Sequence, residues 1–422
     1  MAKKRKGKAG TYRRGMSGNP ARRAEQLTAT SRSAGRDVDT LPRWWPASHT
    51  TIVEQAMDLA PTGSPLELET RAAGIVGAEY WARFQSEKGG FHGDAWLAAL
   101  ADLAGDELQV ALRTGEEWRG LWRFLHGLAV MVPPGARQSL MRDPDGAGRE
   151  AIRSAANSIT AAGATAPWPT DVARAEPAGD PLMAVDGYGS RFALLAPFSW
   201  RKIDQHWYRW DVDRCGTDTI VAAGVFASSE EALAEWRTAV GSAAAGAELV
   251  TCDGATVRNL LSPLAHTGFF GNLLTGFESR ELIVEQFRMR QRAMALLAKF
   301  PDEGQTPLDL DAVVDDFAAW FAARKGSRPA RDDIGILADS WSGVLSPFSY
   351  ACSPHRIEHT VVLVRDMYLK EHAKAALDLL PEWVEWCIER SGLSGELATR
   401  ARTAARDDKG DGITGEALRR AE

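Results

Sequence analysis

The five residues HRIEH at 355–359 form the sharpest chemical pattern in this chain. They fit the H-x-x-E-H signature of inverted zinc peptidases. On a helix, His355 and His359 lie one turn apart on one face, as two ligands of one zinc ion must, and Glu358 is placed to activate a bound water as a general base. Only 63 residues follow the motif, and the acidic residues among them sit at ordinary surface-type positions. The sequence therefore favours helix-capping or surface histidines over a zinc site, and zinc is the one cofactor that it raises.

A second group of chemically capable side chains lies in HWYRWDVDRCG at 206–216. A cysteine and a histidine can act as nucleophile and base, but His206 and Cys215 are nine positions apart, which would hold them far from each other along one strand. The same segment also holds Asp211 and Asp213. Its aromatic side chains alternate with charged ones, which predicts a strand with one buried and one solvent-facing side. Core packing explains these aromatic residues better than stacking on a base or a small ligand. They are Trp207, Tyr208 and Trp210.

DDKGDGITGE at 407–416 superficially resembles a calcium loop. Counted from Asp407, the third position is Lys409 and the twelfth is Leu418, so a calcium ion would lose two of its main oxygen ligands. The sequence also has no G-x-x-x-x-G-K-[ST] loop, no G-x-G-x-x-G after a strand, no G-x-S-x-G elbow and no zinc-finger spacing. These absences argue against the common nucleotide-driven and serine-hydrolase mechanisms, and they favour a binding protein over an enzyme.

The charge of the chain is divided unevenly between its N-terminus and the rest. Residues 1–36 hold eleven Lys/Arg and one acidic residue, whereas the remaining residues hold 39 Lys/Arg against 55 Asp/Glu. An arm of this composition cannot bury enough apolar surface to fold alone, but it can neutralise phosphates without reading bases. We therefore expect nucleic acid, the ribosome or another polyanion as its partner. A solubilising tail, or an arm lying on its own acidic body, is the alternative. The candidate contact residues are Lys3, Lys4, Arg5, Lys6, Lys8, Arg13, Arg14, Arg22 and Arg23.

A smaller basic cluster lies on the predicted helix SRELIVEQFRMRQRAMALLAKF. Arg288 and Arg292 are one turn apart on a shared face, a spacing that can hold a phosphate. A solvated face with salt bridges to Glu281 and Glu285 is the favoured interpretation.

The cysteines and the hydropathy of the chain indicate its cellular location. The four cysteines are far apart and form no CxxC pair, which is typical of reduced, buried thiols in a cytosolic protein. No apolar segment follows the basic start, as it would in a secretory signal, and no apolar run approaches the ~20 residues that cross a bilayer. The sequence thus predicts a cytoplasmic location and no membrane partner. The cysteines are Cys215, Cys252, Cys352 and Cys387.

Helix and strand signals predict the elements that must position these residues, in a predominantly helical α+β fold. Ser64 and Glu67 form a capping box at one helix start, and Ser228 and Glu231 form another. The short aromatic and β-branched runs SRFALLAPFSW, HWYRWDVD and TIVAAGVFAS predict three strands, and a helix follows them. The predicted organisation is a disordered basic arm at 1–40, a helical domain at 41–133, an Ala/Gly/Pro-rich linker at 134–181, a small three-strand-plus-helix α/β module at 182–250, a helical bundle at 255–406 and a flexible tail at 407–422.

SPHRIE at 353–358 and PEWVEWCIERSGL at 381–393 resemble a helical module of actinobacterial proteins of unknown function. The resemblance covers residues 307–405, about a quarter of the chain, and it implies no activity. In that module the Ser-Pro and Glu358 positions carry the likeness and the two histidines do not. The resemblance therefore weakens the zinc interpretation further.

Three functions follow from these observations. The leading hypothesis is a cytosolic interaction or regulatory protein whose N-terminal arm binds nucleic acid or another polyanion. The second is a metal-dependent hydrolase that uses His355, His359 and Glu358. The third is a scaffold for protein partners that binds no nucleic acid.

Overall fold

A computed structural model describes residues 42–87, 93–132, 147–163, 175–200, 204–215, 219–267, 280–300, 309–342 and 349–407. Within these residues the chain forms fourteen α-helices and one six-stranded antiparallel sheet. The predominantly helical α+β prediction is therefore confirmed. The predicted arm at 1–40 and all but the first residue of the predicted tail lie outside the described residues.

Helices come before, between and after the strands. The helices are α1 (Trp45–Met57), α2 (Pro65–Ser86), α3 (Gly93–Thr114), α4 (Arg119–Leu128), α5 (Ala147–Ala161), α6 (Ser229–Val240), α7 (Gly254–Thr267), α8 (Arg280–Leu297), α9 (Leu310–Lys325), α10 (Arg331–Trp341), α11 (Pro354–Met367), α12 (Lys370–Asp378), α13 (Leu380–Ser391) and α14 (Gly395–Asp407). The strands are β1 (Glu176–Pro177), β2 (Leu182–Val185), β3 (Arg191–Trp200), β4 (Asp204–Asp213), β5 (Thr219–Phe226) and β6 (Val250–Thr251).

The first five helices build one apolar core. The start of α2 has the predicted capping box: the Ser64 hydroxyl accepts a hydrogen bond from the backbone N–H of Glu67 at 3.2 Å, and the Glu67 carboxylate accepts one from Gly63 at 2.7 Å. These contacts satisfy two amides that the helix leaves without partners. Tyr80 and Trp96 are fully buried between α2 and α3, with ring centroids 5.2 Å apart.

The sheet follows the strand order β5-β4-β3-β2-β6, and β1 pairs with β3. Three of the strands, β3, β4 and β5, are the predicted ones. The other three contain two to four residues each, which is too short to show a period of two. The predicted linker at 134–181 therefore overlaps the sheet, because β1 lies within this range.

Both faces of β4 are buried, although its alternating sequence predicted one solvent-facing side. Tyr208 and Trp210 fill the core on one face. On the other face, α6 covers the charged residues: Trp236 donates to Asp211 at 3.0 Å, and Arg209 donates to the Ala232 carbonyl at 2.9 Å. The predicted exposure is thus wrong, because a helix lies over that face and satisfies its polar groups.

Helix α8 belongs to two cores at once. Its residues Ile283 and Phe287 pack in the N-terminal helical core, and Leu282 and Met289 pack against the sheet. A Cβ at Gly77 of α2 would lie 2.4 Å from the Cα of Val284, so glycine is required for this close approach.

The last six helices form a separate core that begins with α9. Phe317 lies at its centre, with ring centroids 5.0 Å from Trp383 and 5.4 Å from Trp386. The predicted bundle at 255–406 therefore spans two structural parts, with α7 and α8 on the sheet and α9 to α14 on their own core. None of the helices in the described ranges is long and apolar enough to cross a membrane.

A buried ion pair fixes α2, α8 and β4 to one another. The Arg292 guanidinium of α8 pairs with the Glu69 carboxylate of α2, and Tyr208 of β4 donates to the same carboxylate at 3.2 Å. Arg292 also lies 5.6 Å from the centre of the Tyr208 ring and 5.7 Å from that of Phe198. Because neither charge reaches solvent, each is stable only in the presence of the other.

We predict that Glu69→Gln destabilises the protein by about 3–5 kcal/mol, because the Arg292 charge then stays buried without a counter-ion. Asp378→Asn is the matched control, since it removes an exposed ion pair with Lys374 and should cost at most about 0.5 kcal/mol. Urea unfolding followed by tryptophan fluorescence measures both. Equal midpoints for the two variants would contradict the assignment.

Two buried histidines in the N-terminal core predict acid sensitivity. Burial lowers the pKa of His49 and of His126 to about 4. Because unfolding restores a pKa near 6.5, the unfolded chain binds more protons between these values, so stability is complete above pH 6.5 and falls as the pH drops towards 4. The loss should approach about 1.4 kcal/mol per pH unit for each histidine. Denaturant unfolding at pH 7, 6 and 5 measures the unfolding free energy. The His126→Phe variant should lose less of this free energy than the wild type as the pH falls, because it lacks the contribution of His126. An unchanged dependence on pH would refute the prediction.

Candidate metal centre

Three side chains with metal-binding donors lie together where the sheet meets the C-terminal bundle. They are Asp213, Cys215 and His355, and their donor atoms, one per residue, lie within 4.8 Å of one another. The Nδ1 atom of His355 is 3.0 Å from Oδ2 of Asp213. Within the part of the chain that the structure describes, no other His, Cys, Asp or Glu residues form such a group of three. The fold thus joins the two stretches that the sequence had offered separately.

The end of β4 positions the first two donors. Asp213 is the last residue of β4 and pairs with Arg191 of β3 in the ladder. Its Oδ1 atom accepts a hydrogen bond from the backbone N–H of Cys215 at 2.6 Å. The carboxylate therefore holds the turn that carries the thiol, and both side chains stay close together.

The first turn of α11 positions the third donor. Ser353 is the N-cap of α11, and its hydroxyl accepts a hydrogen bond from the backbone N–H of Arg356 at 3.2 Å. Pro354 at the first helical position has the backbone angle that a helix needs, and His355 follows it. The Ser353 hydroxyl also lies 3.2 Å from Sγ of Cys215. One serine thus begins the helix and contacts the thiol from the sheet.

The pKa values of the three side chains depend on burial and on one another. Burial disfavours the charged form of Asp213, but the hydrogen bond and charge of His355 and the hydrogen bonds from Cys215 together outweigh burial and hold the pKa of Asp213 down to about 2. Burial likewise disfavours the charged form of His355, but the hydrogen bonds to Asp213 and Cys215 raise its pKa to about 11. Burial and the nearby Asp213 charge raise the pKa of the Cys215 thiol. In this arrangement a carboxylate, an imidazolium and a neutral thiol are present at neutral pH.

The arrangement does not suit a nucleophilic cysteine. Reactive cysteines have lowered pKa values, whereas the pKa of Cys215 is raised. In a Cys-His-Asp relay the imidazole also lies between thiol and carboxylate, which separates them by roughly 7 Å when two hydrogen bonds flank the ring. Here a carboxylate oxygen of Asp213 and the sulfur of Cys215 lie within 4.8 Å of each other. The compact cluster is the geometry of ligands around a common centre.

The other two residues of the HRIEH motif lie outside this group of donors. His359 is one turn further along α11 than His355, as predicted, and its buried Nδ1 makes no hydrogen bond within the described residues. Burial, followed by the charge of His355, lowers the pKa of His359 to about 4. Glu358 is half-buried on the same helix. The structure thus brings His355 to a carboxylate and a thiol, and it does not bring Glu358 to them.

A cleft of about 510 Å³ lies near the cluster, between the β2–β3 turn, the residues before α11 and the loop between α13 and α14. Asp186, Tyr188 and Tyr350 contribute to its polar lining. None of the three clustered donors lines this cleft. A ligand in the cleft would therefore not contact a metal ion held by them.

The remaining candidate residues of the sequence have structural contacts. Tyr208 and Trp210 are buried and donate to Glu69 and to the Met289 carbonyl, so they belong to the core. His206 lies at the other end of β4, next to the Trp200 ring, and is far from Cys215 along the strand. These contacts leave no free aromatic face for stacking on a ligand at Tyr208 or Trp210.

The arginines of α8 are also engaged within the protein. Arg288 pairs with Glu285 and donates to the Thr70 hydroxyl at 2.9 Å. Arg290 pairs with Asp94 at 2.6 Å, and Arg292 makes the buried pair with Glu69. The Arg288–Glu285 salt bridge agrees with the favoured interpretation, but the solvated face that it assumed is wrong, because Arg288 and Arg292 are buried and Arg292 pairs with a residue of another helix.

Comparison with known proteins adds no identity. No protein-family model, no curated protein and no solved structure matches this chain. The resemblance of residues 307–405 to an actinobacterial module remains a prediction. The case for a function therefore rests on the geometry and on the charge distribution.

Proposed function

We propose that the protein is an interaction or regulatory protein that binds nucleic acid through its basic N-terminal residues. The observation that carries this proposal is the division of charge. Residues 1–36 have a net charge of +10, and the remaining residues have a net charge of −16. A phosphate backbone is attracted to such an arm and repelled by such a body, so binding would be confined to the arm.

The internal use of the α8 arginines supports this assignment. Helix α8 is another part of the chain with clustered arginines. After folding, Arg288 and Arg292 are buried and paired with carboxylates. Removing either of them from its partner to bind a phosphate would leave a buried carboxylate without a counter-ion, at a cost of several kcal/mol. Helix α8 is therefore a poor phosphate-binding surface.

Exposed cations of the C-terminal bundle lie beside carboxylates as well. Arg390 contacts Asp316 at 2.7 Å, and Lys325 contacts Glu382 at 3.1 Å. Arg331 is shared between Asp311 and Asp315. A phosphate that approached these cations would also meet the neighbouring carboxylates, so they provide little net attraction.

The hydrolase alternative receives less support from the geometry. A hydrolytic metal needs an open coordination position and a general base beside it. Glu358 is outside the donor cluster, and the neighbouring cleft is lined by none of the three donors. We therefore place the cluster outside the proposed function. A scaffold that binds proteins alone remains an outcome that the following experiment distinguishes.

We predict that the full-length protein binds generic duplex DNA and single-stranded RNA with a steep salt dependence. If roughly six phosphates are contacted, the slope of log K against log salt is about −5, so affinity falls about 10³-fold between 50 and 200 mM salt. Removal of residues 1–36 should abolish this binding. Fluorescence anisotropy with labelled oligonucleotides at the two salt concentrations measures both quantities.

Two variants sharpen this test. The first replaces nine of the eleven basic residues of the arm with glutamine and keeps the length of the arm. It should bind nearly as weakly as the deletion. The replaced residues are Lys3, Lys4, Arg5, Lys6, Lys8, Arg13, Arg14, Arg22 and Arg23. The second scrambles the order of residues 1–36 and should bind as the natural arm does, because phosphate neutralisation needs no sequence. Equal binding by full-length and truncated protein refutes the proposal. Absence of nucleic-acid binding by the full-length protein favours the protein scaffold.

A further inference from the structure

We propose that Asp213, Cys215 and His355 bind a divalent transition-metal ion of the zinc class, which joins the end of β4 to the start of α11. The donor set carries the choice of metal. Carboxylate, thiolate and imidazole are the three ligand types that zinc accepts in proteins. Calcium and magnesium take oxygen ligands and do not bind a thiolate in preference to water. The ligand types of the site therefore favour zinc over calcium and magnesium.

The spacing of the donors is close to that of a tetrahedral centre. With metal–ligand bonds of 2.0–2.3 Å, neighbouring ligand atoms around zinc are about 3.5 Å apart. The donor atoms of the three residues are already within 4.8 Å, and Nδ1 of His355 is 3.0 Å from the Asp213 carboxylate. Small rotations of side chains are thus sufficient to bring the three donors around one ion.

Charge balance favours the same assignment. Once bound, the metal contributes two positive charges, and the Asp213 carboxylate and the Cys215 thiolate contribute one negative charge each. The neutral imidazole of His355 completes a centre with no net charge. Because Asp213 and Cys215 are buried, a neutral centre avoids the cost of an unpaired charge in the interior.

His359 is the residue that we assign to the fourth position. It lies on the same face of α11 as His355, one turn away, and its buried Nδ1 has no hydrogen-bond partner among the described residues. It interacts electrostatically with both His355 and Asp213, which places it near the centre. A buried donor without a partner has no hydrogen bond to lose when it turns to a metal.

The position of the centre gives it a mechanical role. Asp213 ends β4 and Cys215 lies in the turn that follows it, whereas His355 and His359 belong to the C-terminal bundle. We call the boundary between the sheet region and the C-terminal bundle the seam. Elsewhere at this seam, Arg400 of α14 donates to Ser242 at 3.0 Å in an exposed contact. A metal ion with ligands from both sides would hold the two parts together far more strongly than such a surface hydrogen bond.

Titration of the full-length, chelator-treated protein with Zn²⁺ alone tests the proposal. We expect one Zn²⁺ per chain and a rise in the unfolding temperature on zinc addition. Titration with Co²⁺ should give the ligand-to-metal charge-transfer absorption of a thiolate bound to cobalt. Residues 1–36 contain neither His nor Cys, so the arm does not add a competing site of this type.

Conservative variants identify the ligands. Cys215→Ser and His355→Gln should each weaken zinc binding more than about 100-fold, beyond the loss that outer-shell partners cause, and His359→Gln should weaken it to a smaller extent. Cys252→Ser and His206→Gln are matched controls from the sheet region that should keep the wild-type affinity. Circular dichroism checks that each variant is folded. The cobalt spectrum of the wild type needs no variant, so the thiolate assignment is tested even where a substitution disturbs the fold.

Three results would overturn the proposal: less than one Zn²⁺ bound per chain at saturation, a cobalt complex without thiolate absorption, or equal affinity in the Cys215→Ser variant and the Cys252→Ser control. In each case the three side chains act only as a hydrogen-bonded ion pair and a buried thiol at the seam.

Discussion

The buried ion pair between Glu69 and Arg292 is the contact on which the arrangement of the described N-terminal helices and the sheet depends. A purely apolar contact between helices allows several packings of similar energy, but two buried charges are satisfied in one packing only. Because Arg292 is on α8 and Tyr208 also donates to Glu69, the pair sets the positions of α2, α8 and β4 together. The N-terminal helices and the sheet are therefore one structural unit, held by two residues that are 223 positions apart in the chain.

Whether a contact is local or joins distant parts of the chain decides which features of the fold could be predicted from the sequence. The capping boxes at Ser64 and Ser228 were predictable because their partners lie three residues away, and both are present in the structure. The burial of Arg209 and Asp211 was not, since it depends on α6 lying over the far face of β4. Local hydrogen bonds leave a sequence signature, whereas tertiary coverage of a sheet face does not.

The candidate metal centre, like the burial of Arg209 and Asp211, could not be predicted from local sequence patterns. The sequence points to His355 and, separately, to the segment that contains Asp213 and Cys215. Within that segment, His206 is too far along the strand to pair with Cys215. The fold supplies a different histidine, and the Cys215–Ser353 contact spans 138 positions of the chain. No spacing rule covers such a separation, so the pairing could be found only after the strand end and the helix start were placed together.

The two proposals depend on forces that respond differently to solvent, and this makes them physically independent. In the first proposal, the basic residues at 1–36 would attract phosphates through their charges, an attraction that salt screens within about 8–10 Å under physiological conditions. The donors at the seam are largely buried, so mobile ions screen them little, and a metal bound there is instead sensitive to competition by protons and chelators. Salt should therefore release a polyanion while leaving a metal in place, and a chelator should do the reverse.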